Sequence, residues 1–396
     1  LINDTEKVLL RELAWVLGEN EKTCITAECD FDEFIKRAKA HVVLSIIGDR
    51  LLSDESLGGR MTEAQTNEVE KRCESVLVSS NRLLYLTDRC LKKLDEAGIN
   101  AVVLKGWAVA GYYPVPELRK TGDIDILVAD GDVNRAVEII KKDGFREVSD
   151  QHSVHHVELA NGEGIEIEVH NMLVEPFEDE AVNRLVRQYG AEMLVHTESF
   201  DYNGYHIRRG TAAYNALSLI LHMLQHYLRA GFGLKLLCDW VVFIDKGMDA
   251  AEYARFAEMS ESLGISGFVK MINSVCHRFL GMKLPAGMEI VTDETALEAF
   301  MSDVLEGEEF GRSGAHRMVV VHGKGIGAYF REFNHQTKLN NPKLSKIWIL
   351  MPFLWVKTLI VFIINNKRVR NTKTSDILKT AGRRGKLVAK MGLFSK

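Results

Sequence analysis

"LRKTGDIDILVAD", Leu118 to Asp130, is the stretch on which the reading of this chain turns. Asp123 and Asp125 flank Ile124 at the head of an apolar run that continues through Ile126, Leu127 and Val128. Side chains alternate along a strand, so the two carboxylates share one face while Ile124 and Ile126 turn to the other, toward a helix layer. Carboxylates side by side repel each other and call for a cation between them. Magnesium (or manganese) suits the place, because hard oxygen ligands hold it and substrate phosphates complete its shell. The bland alternative is a polar strand rim, and the neighbouring sequence weighs against it.

Downstream, "GIEIEVHNML" (164–173) alternates Ile165, Ile167 and Val169 with Glu166, Glu168 and His170. If this strand pairs near the aspartates, Glu168 completes a three-carboxylate metal site. Such a site aligns an attacking hydroxyl with a phosphoryl group and offsets charge in the transition state. Glu166 reads as a solvated hairpin face. His170 reads equally as a structural histidine and as a site member. His155 and His156, on the preceding strand, are expected to point opposite ways, so that one of them faces the site. Upstream, "VVLKGWAVAGYYP" (102–114) turns from strand to helix at Lys105–Gly106 and offers backbone N–H groups and a lysine to a phosphate. Gly106 lets a triphosphate approach the backbone. Arg119 is expected to clamp a phosphate oxygen, with a structural salt bridge as the alternative.

The surrounding chain is long enough, at 396 residues, for more than one domain. Apolar spacing of three and four predicts helices through 1–98, ending in one or two long segments that Gly98 closes. Residues 99–205 switch to strand periodicity with one amphipathic helix, closed by Gly144, and a hairpin turning around Asn161–Gly164. Helical periodicity returns over 206–345 and is interrupted at Gly231–Gly233. Residues 346–396 combine an apolar run, Ile347–Ile364, with a tail carrying ten Lys or Arg against the single acid Asp376. That run approaches bilayer-spanning length, but Pro352 and Lys357 break it. A helix packed on the helical domain is the first reading, an interfacial helix beside a basic tail the second, and a true span the third.

A net charge of -5 supplies no general pull toward nucleic acid, and none is expected as a partner. Six cysteines without a CxxC pair, and no signal-peptide pattern, lead to the expectation of reduced thiols in a cytoplasm.

In order and spacing these pieces resemble the nucleotidyltransferase superfamily of polymerase-beta-like fold. There a Gly-containing strand–helix turn precedes an Asp-x-Asp strand, and a third acid lies on a later strand. More narrowly, the chain resembles the bacterial uncharacterised nucleotidyltransferase family found beside capsule, exopolysaccharide and peptide-product biosynthesis genes. The matching segments are "LKG" (104–106), "YYPVPELR" (112–119), "DIDILV" (123–128), "EVH" (168–170) and "LHMLQHYLRAGFGLKLLCDW" (221–240), the last with His222, His226 and Asp239 in register. "MPFLWVKTLI" (351–360) resembles a late Pro-x-x-Trp segment of the family. Two departures stand out. The usual Gly-Gly or Gly-Ser phosphate turn is Lys-Gly here, and the third acid is Glu168 rather than Asp.

The resemblance implies an α+β fold: a small mixed β-sheet nucleotidyltransferase core flanked by N-terminal and C-terminal helical regions. It implies transfer of an NMP from an NTP to a hydroxyl of a small molecule or protein, with release of pyrophosphate. Asp123, Asp125 and Glu168 would hold metal and act in catalysis, and Lys105, Gly106 and Arg119 would hold the triphosphate. His170, His222, His226 and Asp239 are pocket candidates. His222 and His226 have zinc-pair spacing on a helix, but no HExxH glutamate accompanies them, which favours core or pocket histidines. Asp239 reads as an interhelical hydrogen-bond acceptor. The alternative function is a catalytically weak nucleotide-binding protein, or a scaffold of a polysaccharide or peptide-product system that meets the inner face of the membrane through 347–396.

Overall fold

Strand alternation in the middle of the chain and helical periodicity on both sides build a small mixed sheet set among helices. The computed structural model describes residues 2–18, 25, 29–54, 60–148, 153–229, 231–285, 287–309, 326–341, 344–369, 384–385 and 387–394. Four helices come first: α1 (Asp4–Gly18), α2 (Phe31–Ala40), α3 (Leu44–Ser53) and α4 (Glu63–Glu96). The long segment before Gly98 is one helix of 34 residues, opened by a capping box between Thr62 and Gln65. It ends at Gly98, which takes a positive φ of 70° that other residues adopt reluctantly.

Five strands follow: β1 (Ala101–Val103), β2 (Asp123–Val128), β3 (Arg146–Glu147), β4 (His156–Ala160) and β5 (Glu166–His170). They lie side by side in the order β1-β2-β5-β4-β3. Only β2 and β5 run parallel. Between β1 and β2 sits the four-residue α5 (Trp107–Ala110), and α6 (Val133–Lys141) follows β2. The β4–β5 turn is held by the Asn161 side chain, which accepts hydrogen bonds from the N–H groups of Glu163 and Ile165.

The sheet has two different faces. Ile124, Ile126, Ile167 and Val169 pack with Leu84, Leu91 and Leu94 of α4 and with Val137 and Ile140 of α6 in one apolar core. The opposite face carries the two aspartates, and at Leu127 it joins a second, larger core. That core draws on α7 (Glu180–Val195), α8 (Ala212–Arg229), α9 (Leu234–Gly247), α10 (Ala250–Ser262), α11 (Ser266–Leu280) and α12 (Glu294–Gly307). Helices α1 to α3 belong to it as well, α1 lying against α9 and α11. The first helices therefore share their burial with the later ones, although α4 and the whole sheet unit intervene in sequence. A hairpin of β6 (Thr197–Tyr202) and β7 (Tyr205–Gly210) runs across the edge expected at 205.

The end of the chain is more than a solvated basic tail. Arg384 is fully buried, 3.1 Å from Asp303 on α12, and also donates to the Tyr227 carbonyl. Leu387, Val388, Met391 and Leu393 enter the large core. Gly267 on α11 makes room for them, since a Cβ there would lie 1.8 Å from the Met391 carbonyl oxygen. Ahead of them, α14 (Met351–Val369) packs on α13 (Ile326–Leu339), with the Trp355 indole donating to Asn334 at 3.1 Å and Lys357 to Asn341 at 2.9 Å. The other side of this segment is open: Trp348 is 81% and Phe353 73% exposed. Among the described residues no helix is long and apolar enough to cross a membrane.

The sheet unit and the helices are joined by a buried ion pair. Arg119, just before β2, donates from Nε and Nη2 to the two oxygens of Asp239 on α9, at 2.9 and 2.6 Å, and the Tyr113 hydroxyl donates to the same carboxylate at 2.8 Å. Breaking a buried pair strands one charge, whereas replacing both partners by apolar groups is often nearly neutral. Arg119→Met is therefore expected to lower stability by about 3–5 kcal/mol in urea denaturation, and Arg119→Met with Asp239→Leu to regain most of the loss. Equal losses in the single and double variants would show that the pair is not the cause.

Candidate active site

The parallel register of β2 and β5 places Asp123 opposite Glu166, Asp125 opposite Glu168 and Leu127 opposite His170. Directly opposed residues of paired strands share a face, so the acidic faces of the two strands merge. Asp125 is buried and Asp123 partly open. His170 Nε2 lies 3.1 Å from Asp125 Oδ1 and 3.0 Å from Glu168 Oε2. The ligating atoms of Asp125, Glu168 and His170 fall within 4.8 Å of one another.

Asp123 is not in that close group. It meets Asp125 through Lys105, whose Nζ stands 2.9 Å from Asp125 Oδ1 and 3.6 Å from Asp123 Oδ2. Lys105 thus sits on the aspartates rather than facing outward for a phosphate as expected. Burial works against its ammonium, but Asp125, Asp123 and Glu168 outweigh that and raise it above the ordinary lysine range. Burial likewise opposes ionisation of Glu168, yet the His170 hydrogen bond, with His170 and Lys105 charge, draws its carboxyl down to about 2. His170 is its counterpart: burial disfavours the imidazolium, and hydrogen bonds to Asp125 and Glu168 lift it to about 8. The chain supplies its own cations where carboxylates converge.

The backbone fixes these positions tightly. The Leu104 N–H donates to the Asp125 carbonyl at 3.1 Å, which sets Lys105 beside β2. Gly106 turns the chain with a φ of 63°, and a Cβ there would meet Thr121 Cγ2 at 3.0 Å. Trp107 is then anchored by its indole donating to the Ser80 carbonyl of α4 at 3.1 Å.

Arg119 does not extend toward the site as a free clamp. Its guanidinium is committed to Asp239 and, through Nη1, to Thr121 Oγ1 at 3.0 Å, because a buried arginine needs every donor satisfied. The same pairing makes Asp239 the interhelical acceptor anticipated from the sequence.

Two chambers flank Asp123 and Lys105. One, of about 350 Å³, is lined by Lys105, Gly106, Arg119, Lys120, Lys235 and Asp239, with Asp123, Glu166 and Glu309 on its acidic side. Lys235 of α9 was not singled out by sequence, since nothing in a helical pattern marks one lysine as inward. Burial, then the Arg119 charge, lowers its ammonium to about 8. The other chamber, of about 390 Å³, holds His155, His156, Glu168 and His170 opposite His222 and His226. The rings of His222 and His226 meet edge to face at 4.4 Å, and burial, then the Lys105 charge, holds His222 well below the usual imidazole range. No group of three ligating side chains among the described residues includes either of them. They are walls of the chamber.

His155 and His156 depart from the alternation argument. Strand β4 begins at His156, and His155 lies in the bend before it, so both rings turn into the same chamber. His155 Nε2 lies 3.0 Å from His156 Nδ1, which is 3.7 Å from Glu168 Oε2.

The residues present fit a divalent cation. Asp125 Oδ2 is buried with no hydrogen-bond partner among the described residues, and the Lys105 ammonium already stands where positive charge is needed. The set Asp125, Glu168 and His170 differs from the expected Asp123, Asp125 and Glu168 in that a histidine takes the close place.

No curated protein matches the chain. Solved structures that show likeness include these two. One is an antigenic nucleotidyltransferase-like protein from Paracoccidioides brasiliensis, 16% identical over 52% of this chain and 95% of that one, at a TM-score of 0.31. The other is the Thermotoga maritima CCA-adding enzyme complexed with tRNA, 11% identical over 80% of this chain and 84% of that one, at a TM-score of 0.20. A family model described as uncharacterised nucleotidyltransferase matches residues 27–281, a span that holds the sheet and every chamber residue named above except Glu309, and the chain belongs to that family.

Proposed function

We propose that the protein transfers an NMP from an NTP to a hydroxyl acceptor at the junction of the two chambers. The observation that carries this reading is the placement of Asp123 and Lys105 on the border between two chambers, one holding Lys105, Arg119, Lys120 and Lys235 beside four carboxylates and the other lined by Glu168 and histidines. The first suits a polyphosphate, with Lys105, Lys120 and Lys235 as its cations; the second suits the acceptor. Asp123, Asp125 and Glu168 would hold Mg2+ or Mn2+, which when bound polarises phosphoryl oxygens and offsets charge on the leaving group. The acceptor oxygen bonds to the α-phosphorus as the bond to the α–β bridging oxygen breaks, and pyrophosphate leaves. Glu168 receives the hydroxyl proton. Lys105 moves from the aspartates to the phosphates once their charge is met otherwise.

Transfer of label from α-labelled NTP, across a panel of hydroxyl acceptors, tests this directly. Asp123→Asn and Asp125→Asn should each lower transfer on the order of 10²–10³-fold. Labelling unchanged in both variants would remove the assignment. Binding of Mg-NTP without any product would favour the alternative of a catalytically weak nucleotide-binding protein, to which the Lys105–aspartate pairing also points.

Lys235 gives the reading a pH signature. Its charged form attracts phosphate and is lost as pH rises through about 8, the value to which burial lowers it. We expect kcat/KM, which reports the free enzyme, to fall above that pH. Lys235→Arg keeps its charge, so the same limb should move upward; a limb that stays in place would exclude Lys235 from nucleotide binding.

A second element of the reading concerns location. Ile347, Trp348, Ile349, Phe353 and Val356 form an exposed apolar strip, and the sequence after it is strongly basic. The pairing suits an anionic lipid surface, where apolar insertion and charge attraction add. The full chain should sediment with anionic vesicles and not with zwitterionic ones, and Trp348→Glu with Phe353→Glu should abolish it. A wild-type chain that stays in the supernatant with both would exclude lipid docking.

A further inference from the structure

The acceptor-side histidines form a donor set that carboxylate chemistry at β2 does not require. The ligating atoms of His155, His156 and His170 lie within 4.8 Å of one another, and His170 is shared with the Asp125–Glu168 group. Neighbouring donors are separated by 3.0 Å (His155 Nε2 to His156 Nδ1), 3.7 Å (His156 Nδ1 to Glu168 Oε2) and 3.0 Å (Glu168 Oε2 to His170 Nε2). Ligands bonded to one ion at about 2.0–2.2 Å stand roughly 3–3.5 Å apart, so the three imidazoles are within reach of one ion after small ring movements, with the Glu168 carboxylate beside them. Ser153 Oγ, 2.7 Å from His155 Nδ1, fixes that ring from behind, as the outer partner of a metal-bound histidine does. A further sign is the unmet demand beside the cluster: the buried Asp125 Oδ2 and His170 Nδ1 have no hydrogen-bond partner among the described residues.

The donor chemistry points to an ion class. Magnesium is matched by oxygen ligands, whereas imidazoles with one carboxylate favour borderline divalent transition metals. We propose that His155, His156 and His170 bind one such ion, of the zinc and cobalt class, on the acceptor side of the aspartates, with Glu168 as the neighbouring carboxylate. The proposal rests on the nucleotidyl-transfer reading for its purpose, which is to place a cation beside the acceptor hydroxyl; its ligands are independent of that reading. It makes the site mixed, with an oxygen-rich half facing the polyphosphate chamber and a nitrogen-rich half facing the acceptor.

Co2+ titration of the metal-stripped full-length chain tests the binding without any assay of transfer. The expected result is a visible d–d band that saturates at one ion per chain, is displaced by equimolar Zn2+, and survives a hundredfold excess of Mg2+. His155→Gln and His156→Gln should each weaken Co2+ binding on the order of 10–100-fold, with folding checked by circular dichroism. Asp123→Asn, outside the ligand set, should keep the band. No band in the wild-type chain, a band bleached by excess Mg2+, or a band unaltered in both histidine variants would overturn the proposal. The two readings fail separately: Mg-supported transfer by a chain that takes up no Co2+ overturns this inference alone. A saturable Co2+ band in a chain that transfers no nucleotide supports this inference and counts against the transfer.

Discussion

Asp125 is a carboxylate sealed into the middle of a sheet, and burying an unpaired charge costs several kcal/mol. The rest of the site is arranged around that constraint. Lys105 reaches Asp125 from the turn after β1, and His170 reaches it from β5. Glu168, brought alongside by the parallel register, would add repulsion without the histidine between them. The group is close to self-neutralising in the absence of any ligand. Such a group can exchange its internal cations for external ones at modest cost, because the positive charge is replaced and not newly created. A polar rim would have needed none of this, since solvated carboxylates have no compensation to find.

Supporting that arrangement requires walls that the sheet cannot supply. Five short strands have one face on α4 and α6, and the other must be covered by something that leaves room for ligands. Helices α8 and α9 do so, contributing His222, His226 and Lys235 to the chambers. The Arg119–Asp239 pair fixes the distance between β2 and α9. Its value is therefore geometric: the width of the chamber that both partners line depends on that bond. An arginine first read as a phosphate clamp is tied to Asp239 within the chamber's lining.

Much of the site was legible because a strand has a period of two. That periodicity alone puts Asp123 with Asp125 and Glu168 with His170, and the apolar residues between them predict the α4 and α6 layer. Register between strands is not written in one strand's pattern, so the nearness of Asp125 to Glu168 could be only a conditional reading. The alternation rule also misplaced His155, because it holds only inside a strand and His155 lies one residue outside. Lys235 and Arg384 were invisible for a different reason. Each is a basic residue in a helix-rich region, where such residues are usually solvated, and only tertiary packing turns them inward. The same packing gives the end of the chain a role in the core that its basic composition concealed.

The two chambers also bear on how a family could vary its acceptor while keeping its chemistry. Asp123, Asp125 and Glu168 belong to strands whose positions are fixed by backbone pairing and by an apolar layer behind them. The chamber proposed for the acceptor is faced by α8 and by the bend before β4, where a side chain can change without disturbing a ladder hydrogen bond. His155 stands on that bend and His156 opens β4, while His222 and His226 lie on that helix. Substitution at these places alters volume and charge together, whereas substitution at Asp125 deprives Lys105 of its nearest carboxylate. In the proposed transfer, the reacting half would be held by the fold and the recognising half by surfaces the fold can spare.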